Sequence, residues 1–146
     1  TIDGNNQSRL FTINGNNITL KDLVLINGNA QKGGAIYATG SSLIFDNRTF
    51  INNNGSIGGA IGLYGDSTLV CNNSKFIDNH ADTGSSIYVQ NGNLGLYNTE
   101  FTSNVHTKGG QVFLKNATGY IDNATFANIV SDYSPAIQLQ KSKARC

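Results

Sequence analysis

Nine acidic side chains, two histidines and two cysteines are the groups of this 146-residue chain most able to carry chemistry. Cleavage of a glycosidic bond needs carboxylates roughly 5–9.5 Å apart, or carboxylates gathered on calcium with a base beside them. The acids here are scattered. Asp46 and Asp122 keep step with a 25-residue spacing that runs through the chain, but they stand three intervals apart. If each interval is one rung of stacked strands, about 4.8 Å, the separation is ~14 Å. Asp78 and Asp82, four residues apart, read as solvated turn residues. His80 and His106 fall one register apart without cysteines nearby, so they read as surface residues and not as metal ligands. No interval carries an insertion large enough to form a lid or cleft wall. The Gly-Gly pairs lead into Ala-Ile strands and not into a helix N-terminus, which disfavours phosphate binding. These residues predict a non-enzymatic chain with no metal site and no cofactor.

Aromatic side chains offer a different chemistry. Tyr37, Tyr88 and Phe113 recur at one register position, interrupted by Gly62. Strand alternation turns that position away from the core. An exposed aromatic row on a flat sheet can stack on sugar rings or dock a protein, so these three residues form the candidate ligand-binding row. Stacking of the three side chains on one another is the alternative use of the same column.

The elements that position the row are set by a repeat. Gly33-Gly34-Ala35-Ile36-Tyr37 returns as Gly58-Gly59-Ala60-Ile61-Gly62, with weaker echoes at Gly84-Ser85-Ser86-Ile87-Tyr88, Gly109-Gly110-Gln111-Val112-Phe113 and Ser134-Pro135-Ala136-Ile137. Leu25, Phe50, Phe76, Phe101 and Phe126 keep the same beat, and three of them open a Phe-x-x-Asn unit ending at Asn53, Asn79 and Asn104. Asp22, Asn47, Asn73, Asn98 and Asn123 form a third series. All three series share one single-residue insertion. Within each repeat the apolar residues alternate, as in Leu43 and Phe45 or Ile87 and Val89, which marks strands and not helices. Units this short cannot bury an apolar face alone, so successive units must stack. The predicted fold is all-β: a right-handed parallel β-helix of nearly six 25–26-residue coils, spanning residues 1–146 as one segment. In it the Phe series becomes an internal aromatic stack. The Asn47, Asn73, Asn98, Asn123 series is predicted to be an interior amide ladder at a corner.

Composition agrees with this architecture. There are 17 glycines and 21 asparagines, the residues that most readily accept φ > 0. A net charge of +1 with no Lys/Arg stripe argues against nucleic acid. No apolar run is long enough to cross a membrane and no basic-then-apolar leader is seen; the sequence opens in mid-pattern at Thr1, which leaves room for a leader upstream. Cys71 and Cys146 share an inward column three rungs apart, ~14 Å by rung spacing. That is too far for a disulfide, so Cys71 reads as a small buried hydrophobe. Asn-x-Ser/Thr sequons begin at Asn6, Asn17, Asn47, Asn54, Asn72, Asn116 and Asn123. With charged residues alternating in its last strand and no end cap, the rod reads as an excerpt of a longer solenoid.

Gly-Gly-Ala-Ile combined with Phe-x-x-Asn resembles the paired motifs of the chlamydial polymorphic membrane proteins. The opening Thr1-Ile2-Asp3-Gly4-Asn5-Asn6, then Ile18-Thr19-Leu20-Lys21-Asp22-Leu23 and Gly33-Gly34-Ala35-Ile36-Tyr37, is similar to the adhesin-like proteins of methanogenic archaea. The resemblance covers nearly the whole chain and fades in the last coil, where Phe126 is followed by Ile129 in place of Asn. It implies a pectin-lyase-like β-helix, an extracellular cell-surface location and an adhesive role toward other cell surfaces or glycans. The same fold leaves two other readings: scaffold of a polysaccharide lyase or glycoside hydrolase, or a structural stalk.

Overall fold

The computed structural model describes residues 1–128 and 136–145. Every strand in it pairs in parallel with its counterpart one repeat away, and the chain is a parallel β-helix. Six rungs stack along it and about five turns connect them, slightly fewer than the coils expected from length alone.

Three faces run along the helix. The first stacks Phe11–Asn14, Ile36–Thr39, Ile61–Tyr64, Ile87–Gln90, Val112–Lys115 and Ile137–Gln140. On the second, Asn17–Lys21, Ser42–Asp46 and Thr68–Asn72 lead into the long strands Asn93–Thr102 and Thr118–Ala127, and then Lys143–Arg145. The third holds Ile2–Asp3, Val24–Ile26, Thr49–Ile51 and Lys75–Ile77, and then the far halves of the two long strands.

Corners are made by residues in the left-handed region. One corner is the column Asp22, Asn47, Asn73, Asn98 and Asn123, with φ between 51° and 62°. A second is Asn27, Asn52, Asp78, Ser103 and Asn128. Asn and Asp tolerate this conformation because a short polar side chain can bond locally. The abundance of asparagine is therefore the cost-minimising answer to a fold with an αL residue at the same place in every turn. Where the chain passes closest to itself, only glycine fits. A Cβ on Gly59 would stand 2.1 Å from the Ser85 carbonyl oxygen, and one on Gly34 2.3 Å from that of Gly59.

The core follows the predicted columns. Phe50, Phe76 and Phe101 are fully buried and stacked, with Phe126 continuing the column; ring centroids are 4.6–4.9 Å apart and planes within 8°. Cys71 is buried between the rungs of Phe45 and Leu96, and burial pushes its thiol pKa up. Cys146 and residues 129–135, including Ile129 and the Ser134-Pro135 echo, lie outside the described residues.

The interior amide ladder is not the predicted one. Asn47, Asn73, Asn98 and Asn123 are exposed, linked outside the rod by bonds such as Asn47 Nδ2 to Asp22 Oδ1, 2.8 Å, and Asn123 Nδ2 to Asn98 Oδ1, 2.7 Å. An αL residue resets the inward–outward alternation, so extrapolating from Leu43 and Phe45 to Asn47 fails. The buried ladder is the last residue of Phe-x-x-Asn. Asn79 Oδ1 accepts from the backbone N–H and Nδ2 of Asn53, and Asn104 Oδ1 does the same for Asn79, all at 2.9–3.0 Å. The remaining amide hydrogens reach the carbonyls of Leu25, Phe50 and Phe76. Each amide of this ladder thus finds partners in the adjacent turns.

Candidate functional site

The aromatic row lies on the outer side of the first face. Register aligns Tyr37 with Gly62, Gly62 with Tyr88, and Tyr88 with Phe113. The row is continuous despite Gly62, because Tyr64 folds back into the space that glycine leaves. A Cβ at Gly62 would lie 3.3 Å from Tyr64 Cε2. Residues two apart on a strand share a face, so a bare glycine is a floor for the ring two positions on. Centroid distances along the row are 5.3 Å from Tyr37 to Tyr64, 5.6 Å to Tyr88 and 5.4 Å to Phe113. The same device recurs on the second face, where Gly95 underlies Tyr97, which leans on Tyr120. Tyr64 was missed in the sequence, although Gly-Leu-Tyr at 62–64 and again at 95–97 signals it.

Continuity changes the exposure of the row. Tyr88 is only 6 % exposed, which corrects the expectation of three open rings: Tyr64 and Phe113 cover its flanks. Its hydroxyl lies 3.0 Å from Gln90 Oε1 and donates to it. Tyr37 and Phe113 are half-buried with part of the ring in solvent, while Tyr64 is half-buried with its hydroxyl enclosed. Burial holds the phenol pKa values of both Tyr64 and Tyr88 above the usual range; neighbouring Tyr88 and Tyr37 add to the shift at Tyr64.

Two cations top the row. The Arg9 guanidinium is 4.9 Å from the Tyr37 centroid and is fixed by donation to the carbonyls of Lys32 and Gly33. Lys32 Nζ stands 5.2 Å from the Tyr64 centroid. Cation–π contacts of this kind contribute about 0.5–1 kcal/mol at exposed sites. The site is therefore an aromatic strip with positive charge at one end, suited to apolar faces of sugars or side chains beside an anionic group.

The other candidates separate. Asp46 and Asp122 are three rungs apart, with Asn72 and Tyr97 between them. Asp78 and Asp82 are exposed, and Asp82 Oδ1 accepts from Thr107 Oγ1 at 2.9 Å. His80 is exposed, with Nδ1 2.9 Å from Asn54 Oδ1. His106 is buried at 2 % exposure, which corrects its reading as a surface residue: its strand pairs one residue out of step with His80, so the two rings point to opposite sides. Among the described residues no three His, Cys, Asp or Glu side chains are grouped to hold a metal. No family model, curated protein or solved structure matches the chain.

Proposed function

We propose that this chain is a non-enzymatic, adhesin-like segment that presents a rigid face to glycans or other cell surfaces, outside the cell. The observation that carries this reading is the Tyr37–Tyr64–Tyr88–Phe113 strip with Arg9 and Lys32 above it. A stack of aromatic rings fixed by a β-helix loses little conformational freedom when it binds. Sugar rings and exposed side chains both offer apolar patches to such a strip, and the two cations favour partners that carry carboxylate or sulfate. The resemblance of Gly33-Gly34-Ala35-Ile36 and the Phe-x-x-Asn units to methanogen adhesin-like proteins and chlamydial polymorphic membrane proteins supports the same reading. A glycan array probed with the purified segment tests it, run beside a sugar-release assay on the bound polymers. Retention on glycans without release of reducing or unsaturated ends is the expected result. Release would move the reading to a carbohydrate-active enzyme, and retention on no glycan or cell would leave a stalk.

A further inference from the structure

A groove with a volume of about 680 Å³ runs along the corner between the first and second faces. The single-residue insertion of the repeat lies at one end of it. Thr39 pairs with Tyr64 and Ser42 with Thr68, so the extra residue falls in the turn Gly65-Asp66-Ser67. The next turns hold only two residues there, Asn91-Gly92 and Asn116-Ala117. Gly65 and Asp66, in this longer turn, line one end of the groove. From there it passes three rungs, about 14 Å, to Lys141 and Lys143.

One wall is the αL column Asn91, Asn116 and Lys141, and the other is Asn93, Thr118 and Lys143. Small residues, Gly92, Ala117 and Ser142, lie between them. The backbone is already satisfied from rung to rung, as in Asn91 N to the Lys115 carbonyl, 3.0 Å, and Asn93 N to that of Ser67, 3.0 Å. Recognition there must come from side chains. Thr118 Oγ1 donates to Asn93 Oδ1, which leaves the Asn93 Nδ2 hydrogens for a ligand, while Asn91 and Asn116 make no side-chain hydrogen bond among the described residues. A peptide would need apolar side-chain pockets along the groove, and a nucleic acid a longer run of cations. Neither is here. Amides donate and accept at once and so match vicinal hydroxyls, and the two ammonium groups match a carboxylate.

We propose that this corner groove binds a linear acidic oligosaccharide, its carboxylate at the Lys141–Lys143 end and neutral sugars toward Asp66. The site is separate from the aromatic strip, and its test does not depend on the adhesive reading. The test is calorimetric titration of the whole protein with a uronic-acid trisaccharide and with its carboxyl-reduced, neutral counterpart. The uronate should bind at least tenfold more tightly than the neutral sugar, and raised salt should narrow the gap. Lys141→Gln/Lys143→Gln should abolish the preference, and deletion of Asp66, which evens the coil, should weaken both sugars about tenfold. If the deletion variant does not fold, the lysine pair decides alone. Lys75→Gln, which removes an exposed lysine on the third face, should leave uronate binding unchanged. No uronate binding, equal binding of the two sugars, or a loss in Lys75→Gln as large as in Lys141→Gln/Lys143→Gln would each overturn the proposal.

Discussion

Truncating Asn79 to alanine should remove a large part of the stability of this β-helix, although the residue carries no charge. Asn79 Oδ1 accepts from the Asn53 backbone N–H and from Asn53 Nδ2, each at 3.0 Å. Its Nδ2 donates to the Phe50 carbonyl and to Asn104 Oδ1, again at 3.0 Å. Asn53, Asn79 and Asn104 are at most 1 % exposed, so water cannot replace what is lost. Two or three stranded groups at about 1–3 kcal/mol each give a cost of about 2–9 kcal/mol. A domain's whole stability is typically about 5–15 kcal/mol. The matched control is Asn98→Gly in the outer ladder. Glycine accepts the φ of 51° there without strain, and the only side-chain bond lost is the exposed one from Asn123. That change should cost less than about 1 kcal/mol. Urea unfolding followed by circular dichroism measures both, compared at the midpoint and at similar slope. If Asn98→Gly were as damaging as Asn79→Ala, the inner and outer ladders would have been exchanged and the account of the core would fail.

Three further outcomes are expected. Phe76→Ala, which empties the middle of a stack with 4.8 and 4.9 Å spacings, should cost about 3–5 kcal/mol in the same assay. Arg48 is fully buried, its three guanidinium nitrogens lack hydrogen-bond partners among the described residues, and burial pushes its pKa down to about 10 despite the favourable field of Asp22. Arg48→Met should therefore raise the urea midpoint, by about 1–4 kcal/mol in stability; a fall would mean that the guanidinium is held by contacts not seen here. The raised phenols of Tyr64 and Tyr88 favour the neutral form in the fold, so their contribution is complete below the unfolded tyrosine pKa of about 10 and is lost as pH rises above it. The double variant Tyr64→Phe/Tyr88→Phe should flatten that alkaline loss, read from melting temperatures across the alkaline range.

How much of this could be read from the residues depends on what alternation can transmit. Along a strand it is strict, so Phe50, Phe76 and Phe101, or Ile36, Ile61 and Ile87, were placed inward correctly from spacing alone. At a corner it fails, because an αL residue turns the next side chain to the other side. Two asparagine series with the same period are then equivalent in sequence, and the wrong one was placed inside. Asp22 heads the outer series, and a carboxylate at the end of a buried ladder would have been costly, so that residue held the missing clue. Gly62 looked like a gap in the aromatic row because only one register column was followed; the ring that fills the gap belongs to the neighbouring column. The corner groove was hidden for a related reason. Its lining residues, Asn91, Asn93, Asn116 and Thr118 among them, sit at and beside a corner, where alternation does not say which side chains share a face.

Binding of labelled protein to whole cells by flow cytometry, with variants on opposite faces, tests the adhesive reading most directly. The row variant Tyr37→Ala/Tyr64→Ala/Phe113→Ala removes the strip, while Ile44→Ala/Tyr120→Ala removes the most exposed large apolar side chains of the second face. Both should keep the wild-type circular dichroism spectrum, since each side chain lies outside the core columns. The account predicts that cells hold the wild type and the Ile44/Tyr120 variant and release the row variant. Equal binding by the row variant, or loss in the Ile44/Tyr120 variant alone, would contradict it.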